Sequence, residues 1–381
     1  MSRFVKIESD SLEIAAMPFY WRLKASAAPH ACIRPRLPMR VVADKIHDYL
    51  KYEPTADEWS NLSLAYRQNE NVGFVNPESG QLATYGTAAN RFFLDAITRF
   101  KPRTIVEIGC GAGFTIQFLN QHGWKVTGFD PSEYSLHASR QLGFPLVNEF
   151  FRSDAVAEPA DFIYCNDVLA HVPRVEEFCA AVFASLAERG TFCLGTTNAT
   201  DSIAIGDISM LGHQHVNMFT ERSIVSILTS VGFAAIEMTR GRYGNTLYVT
   251  ARKGASAHDT PPHPSPVSCR GYFQRARQSV SAFQSLHNRQ QSLHCYVPLR
   301  CFPYLATVGD FENCPIYDSN PAWRGRYIDG YGQPIRSVAD IHCERDAVFF
   351  VGSLTFFQEI SGMLVKRGIP QSSIMSLRDW I

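Results

Sequence analysis

The sequence predicts an α/β protein: a mixed, mostly parallel seven-stranded sheet covered by helices, preceded by a cap and followed by a second, smaller α/β unit. Three observations predict it. Apolar strands alternate with helical stretches from Thr104 to Ala251, the pattern that builds a parallel sheet buried on both faces. The run "IVEIGCGAGF", Ile105 to Phe114, sets three glycines between the first strand and the first helix, where a ligand approaches bare main chain. A proline-rich stretch then separates this region from a further set of apolar strands.

With 381 residues the chain exceeds one core, since single domains stop growing near ~250 residues. Lysine plus arginine equals aspartate plus glutamate, 36 each, so the basic excess that grips nucleic acid is missing and nucleic acid is not an expected partner. No run approaches the ~18 apolar residues of a membrane span and no leader is visible, so no membrane is expected and a cytoplasmic protein is. Ten cysteines are scattered without a C-x-x-C pair, which suits reduced thiols and leaves no cysteine-rich zinc site.

Residues 1–98 read as a cap or substrate lid, with a helical signal near Val41 to Tyr52. Residues 99–253 carry the strands "TIVEI", "KVTGF", "PLVNEF", "DFIYC" and "GTFCLG", the helices "FTIQFLNQ", "VEEFCAAVFASLAER" and "ERSIVSILTSVGF", and two closing strands, "AAIEM" and "NTLYVTA", joined by "RGRYGN". Residues 254–268 gather prolines with small polar residues and read as a linker. Residues 269–381 hold the strands "LHCYVP", "CPIYDSN" and "AVFFVG" and the helix "FQEISGMLVKRG", a smaller α/β domain. No repeat of fixed period is visible.

Gly109, Gly111 and Gly113 follow a strand, so their loop lies at the carboxyl edge of a parallel sheet, where open α/β sheets bind ligands. A dinucleotide fingerprint requires glycine where Phe114 stands. Asp130 closes the second strand about twenty residues on, where a carboxylate accepts ribose hydroxyls. Without a G-K-S/T to grip phosphates, a nucleoside lacking pyrophosphate fits, with a nicotinamide cofactor the remaining competitor.

E-x-G-x-G-x-G from Glu107, followed by this acid, resembles motifs I and II of class I S-adenosylmethionine (SAM) methyltransferases, with a Rossmann-like core. The resemblance implies SAM as cofactor. Gly109, Cys110, Gly111 and Gly113 would follow it with their backbone, Glu107 would face its ammonium, and Asp130 with Pro131 would hold its ribose. Asp154 would meet the adenine.

"CNDVLAHVP" and "LGHQHVNMF", together with the C-terminal stretch from "PIYDSNPAW" to "FFQEI", resemble the C-methyltransferases of nucleotide-linked deoxysugars. Asn166, Asp167 and His171 stand at matching places. The family's N-terminal zinc module has no counterpart here. Its Tyr-His-Glu-His segment is Gly212, His213, Gln214 and His215.

The family implies a small nucleotide-sugar-like acceptor, with the C-terminal domain closing over it. Carbon methylation needs a base to make an enolate and a donor for its oxygen. His215 is the expected base, oriented by His213 or Gln214, and Tyr85 or His171 is a candidate donor. The H-x-H pair, read as an extended loop, points both rings the same way, but no third ligand is evident and no metal is expected. Oxygen or nitrogen methylation of another metabolite is the alternative, and a non-catalytic nucleoside sensor the next. Oligomeric state is not legible.

Overall fold

The computed structural model describes residues 3–21, 23–68, 84–241, 245–254, 266–289, 292–309, 313–341 and 347–380. Five strands open the chain: β1 (Val5–Ile7), β2 (Ser11–Pro18), β3 (Leu23–Lys24), β4 (Arg36–Asp44) and β5 (Tyr49–Tyr52), followed by helices α1 (Ala56–Gln68) and α2 (Thr84–Phe100). The helical signal near Val41 is therefore corrected to two strands. In β4 the buried residues Leu37, Met39 and Val41 alternate with Pro38 and Arg40, and a period of two is a strand's.

Next come β6 (Ile105–Ile108), α3 (Phe114–Gln121), β7 (Thr127–Phe129), α4 (Glu133–Leu142), β8 (Leu146–Val147), β9 (Ala160–Asn166), α5 (Val175–Ser185) and β10 (Leu186–Thr197). A segment bearing α6 (Thr200–Ile205) and β11 (Asn217–Met218) precedes α7 (Glu221–Val231), β12 (Ala234–Arg240) and β13 (Thr246–Arg252). The remainder holds α8 (Tyr272–Arg289), β14 (Ser292–Tyr296), α9 (Pro298–Ala306), β15 (Ile316–Asp318), β16 (Tyr327–Ile328), β17 (Arg336–Ser337), β18 (Ala347–Val351), α10 (Phe357–Lys366) and β19 (Ile374–Ser376).

Two compact units result. One contains Ser63–Asn198 and Phe219–Pro266. Its seven-stranded sheet runs β12-β13-β10-β9-β6-β7-β8, parallel except for β13, which is antiparallel to both neighbours. Strand order reverses between β6 and β9, the switch point at which such sheets take ligands. On one face α2 presents Phe93 and Ile97, both fully buried, to a core shared with Phe162 and Tyr164. Each such side chain contributes ~1.5–3 kcal/mol through burial. The link "RGRYGN" lies partly outside the described residues, at 242–244, as does most of the 254–268 linker.

The other unit joins Met1–Leu62, Ala199–Met218 and Val267–Ile381, so cap and C-terminal domain, separate in the sequence reading, are one body. β3 pairs antiparallel with β16. Trp21 Nε1 donates to Asp329 Oδ2 at 3.2 Å, and Lys24 forms an ion pair with the same carboxylate. The inserted segment adds β11 to the edge of the β1-β2-β4-β5 sheet. These pairings join residues about three hundred positions apart, which local periodicity does not encode. The unit also contains a five-stranded, all-parallel sheet ordered β17-β15-β14-β18-β19.

Nine cysteines are described, all free and all buried except Cys32. No helix among the described residues is long and apolar enough to cross a membrane.

Candidate active site

After Ile108 the backbone leaves β6 through three left-handed glycines, Gly109, Gly111 and Gly113, at φ of 75°, 47° and 70°. Only glycine adopts this without strain. The Gly109 N–H donates to the Phe129 carbonyl at 2.7 Å, and Gly113 N–H to Cys110 at 2.8 Å, which pins the loop to β7. The three differ in their surroundings. A Cβ on Gly109 would lie 2.3 Å from Val168 Cγ2, and one on Gly113 would lie 2.4 Å from Phe144 Cε1, whereas a Cβ on Gly111 would meet nothing within 4 Å. Gly111 is the point where open space meets bare main chain. Cys110 contributes backbone alone, because its buried side chain faces the space beside Gly128 and burial raises its thiol pKa.

Glu107 is 3% exposed. Tyr164, its register partner on β9, donates its hydroxyl to Glu107 Oε2 at 2.9 Å. Burial, which outweighs this hydrogen bond, pushes the Glu107 pKa up to about 8, with the Asp130 charge adding to the rise. A buried carboxyl in this state takes a cation readily, because an ammonium would offset the desolvation of the charged form. That chemistry and the open backbone at Gly111 fit a bound SAM.

Asp130 is also buried. Its Oδ1 accepts from Ser132 N–H at 2.9 Å and from the Ser132 hydroxyl at 2.5 Å, and its Oδ2 accepts from Gly111 N–H at 2.9 Å. A carboxylate has about four acceptor positions, so three are filled within the chain. One remains for a sugar hydroxyl, fewer than the two the sequence suggested. Pro131 leads into α4, whose N-cap is Ser132.

Asp154 stands in a short 3-10 turn, 75% exposed and paired with Arg152 at 3.2 Å. Such solvent ion pairs contribute little, and nothing local singles it out for adenine. Asn166 ends β9, over Gly195, where a Cβ would lie 2.3 Å from its Oδ1. The next residue, Asp167, is left-handed at φ 54° and turns the chain toward His171.

His171 Nδ1 lies 3.3 Å from the Tyr66 hydroxyl on α1, and the rings meet edge to face at 5.8 Å. Burial raises the Tyr66 phenol pKa, as does the nearby Asp167 charge, so the hydroxyl keeps its proton at neutral pH. Sequence reasoning placed the relevant tyrosine at Tyr85. Tyr85 lies in the first turn of α2, and its side chain is outside the described residues. No local signal marks Tyr66, because its partner lies 105 residues away.

In the inserted segment, His215 N–H donates to the Gly212 carbonyl at 2.9 Å, and the two residues form an antiparallel bridge. Residues 212–215 are thus a tight turn, not the extended loop that would face both histidines one way. His213 is 3% exposed, with its Nε2 3.1 Å from the Leu37 carbonyl and its ring packed edge to face against Phe19 and Tyr52. Burial lowers its pKa to about 4. Gln214 Nε2 donates to the Tyr20 carbonyl at 2.8 Å. Both side chains fasten the turn, whereas His215 is half-buried.

Residues 83–238 match a family model described as a methyltransferase domain. This stretch is therefore similar to a methyltransferase domain, the class to which its glycine loop, Glu107 and Asp130 also point. The chain is 23% identical over 165 residues to C-methyltransferase NovU of Streptomyces niveus, which covers 42% of this chain and 39% of that protein. It is 25% identical over 114 residues to the ubiquinone biosynthesis O-methyltransferase of Hydrogenovibrio crunogenus, covering 28% of this chain and 47% of the relative. The chain spans less than half the length of these two relatives. A solved SAM-dependent methyltransferase from Archaeoglobus fulgidus aligns with a TM-score of 0.38 at 14% identity, over 44% of this chain and 94% of that one.

Proposed function

We propose that this protein is a SAM-dependent methyltransferase that methylates a carbon of a nucleotide-linked keto-deoxysugar or a similar small activated ketone. The observation that carries the reading is the open main chain at Gly111 beside the buried Glu107 carboxyl. Carbon as the atom methylated is supported by the likeness to NovU, a C-methyltransferase by name, and by the histidine-bearing segment 212–215.

When bound, SAM supplies an electrophilic methyl group, and in-line alignment contributes up to ~10 kcal/mol. The chain's own residues prepare the carbon nucleophile. His215 removes the proton next to the acceptor carbonyl, leaving the C–H electron pair as an enolate. His213 is the poorer base at its lowered pKa and instead holds the turn that carries His215, as Gln214 does. His171, its ring oriented by Tyr66, donates an N–H to the enolate oxygen; Tyr85 is the alternative donor.

A second reading, transfer to oxygen or nitrogen of another small metabolite, is favoured by Gln214. It replaces a carboxylate of the resembled family and is committed to the Tyr20 carbonyl. Incubation with carbon-13-methyl SAM and candidate acceptors separates the two by the product methyl shift in NMR. A carbon-bound methyl supports the first, and an oxygen- or nitrogen-bound methyl overturns it for the second.

A further inference from the structure

SAM carries two charged groups on its methionyl carbon, an ammonium and a carboxylate. Glu107 suits the ammonium and Asp130 the sugar, which leaves the carboxylate without a partner of its own. The residues that fit it lie between α2 and the first turn of α3.

α3 begins at Phe114, directly after the glycine loop, and its N-cap Gly113 makes no side-chain hydrogen bond to it. The first N–H groups of a helix have no partner within it, and the helix dipole is positive there, so this end favours an anion.

A second, independent observation comes from α2. Asn90 is 2% exposed. Its Oδ1 accepts from the hydroxyl of Thr115, the second residue of α3, at 3.0 Å, which holds the side-chain amide against this helix end. Its Nδ2 is buried and makes no hydrogen bond among the described residues. A buried donor without a partner calls for an explanation, and a ligand acceptor supplies one.

The placement agrees. α2 packs on the sheet and is joined to β6 by residues 101–104 alone, so helix and strand run in opposite directions. Asn90, ten residues before Phe100, lies about 15 Å back along the helix axis. Ile105 to Ile108 rises only about 10 Å, so Asn90 stands level with the glycine loop. It shares a helix face with Phe93, whose ring packs against Tyr164 with centroids 4.7 Å apart. Tyr164 in turn donates to Glu107. Asn90 and Glu107 thus flank the loop from one face of the sheet, as the carboxylate and ammonium of a single amino acid require.

We propose that Asn90 recognises the carboxylate of SAM: Nδ2 donates an N–H to a carboxylate oxygen, and the positive end of α3 favours the negative charge. A hydrogen bond to an ionised acceptor is stronger than a neutral one, so Asn90 sets a preference for a cofactor that keeps its carboxylate. The inference holds whichever atom of the acceptor is methylated.

The test titrates the full chain calorimetrically with SAM and with decarboxylated SAM, which lacks only the carboxylate. The wild-type protein binds SAM more tightly, by at least about tenfold. In Asn90→Ala this preference falls about tenfold, equivalent to ~1.4 kcal/mol, through weaker SAM binding alone. Asn90→Asp, nearly the same shape, sets one carboxylate against another, so SAM weakens further while the decarboxylated compound does not. Each preference is a ratio measured within one variant, so a smaller folded fraction cancels from it. Glu107→Gln weakens both compounds alike, since both keep the ammonium. An equal loss of both compounds in Asn90→Ala shows a structural role only and overturns the proposal, as does an unchanged preference. Tighter SAM binding in Asn90→Asp places the side chain against the ammonium and overturns it as well.

Discussion

Tyr164 and Glu107 face each other across two parallel strands, and the phenol donates to the carboxyl oxygen at 2.9 Å. Burial nevertheless holds the Glu107 pKa near 8, so at pH 7 the unliganded protein keeps this carboxyl protonated. Binding the SAM ammonium requires the carboxylate and releases a proton. SAM affinity should therefore tighten as pH rises from 6 to 7.5, by up to about tenfold per unit. Calorimetry in buffers of different ionisation enthalpy would count that proton, and Glu107→Gln should remove both the proton release and the pH slope.

The same shift has a consequence for folding. The folded state holds a proton that the unfolded state loses at the ordinary carboxylate pKa of 4.5, so stability falls as pH rises between that value and about 8 and then levels off. Glu107→Gln should flatten this limb in thermal unfolding of the SAM-free protein.

Gly111 separates binding from folding. Gly111→Ala strains a left-handed residue by about 1–2 kcal/mol yet meets no neighbour, so melting should shift by a few degrees while SAM affinity drops tenfold or more. Gly113→Ala should behave oppositely in rank, with the larger loss in melting temperature, because its Cβ collides with Phe144.

His213 and His215 should divide by role. Burial lowers the His213 pKa from 6.5 to about 4, so the unfolded state binds the extra proton in that window. The stabilising effect of the neutral ring is lost as pH falls from 6.5 toward 4. His213→Ala should lower stability by about 1–3 kcal/mol through the unpaired Leu37 carbonyl and lost packing and remove that part of the acid limb. His215→Ala should leave melting unchanged and abolish turnover with SAM affinity intact.

Tyr66→Phe tests the ring orientation of His171. The bond at 3.3 Å is long, so stability should change by no more than about 1 kcal/mol. The nitrogen-15 shifts of His171 should move toward a mixed tautomer, and kcat should fall with KM preserved, a split that a purely structural tyrosine would not produce.

The elements legible in sequence are those whose cause is local. The spacing of Gly109, Gly111 and Gly113, the acid at Asp130 and the alternation from Thr104 to Ala251 each state a backbone or burial requirement within a few residues, and the structure meets them as left-handed turns, a carboxylate at the strand end and a seven-stranded sheet. Period was misread near Val41, where alternating burial in β4 was taken for a helical signal, and at Leu186 to Arg189, which were read as the end of a helix but begin β10.

What only the tertiary structure decided depends on groups distant in sequence that share one buried environment. Trp21 finds Asp329, His213 finds Leu37 and Tyr66 finds His171. No periodicity records such partners, because the energy that selects them is desolvation in the folded core. Sequence fixes what a residue can do unaided; the fold decides what it is compelled to do.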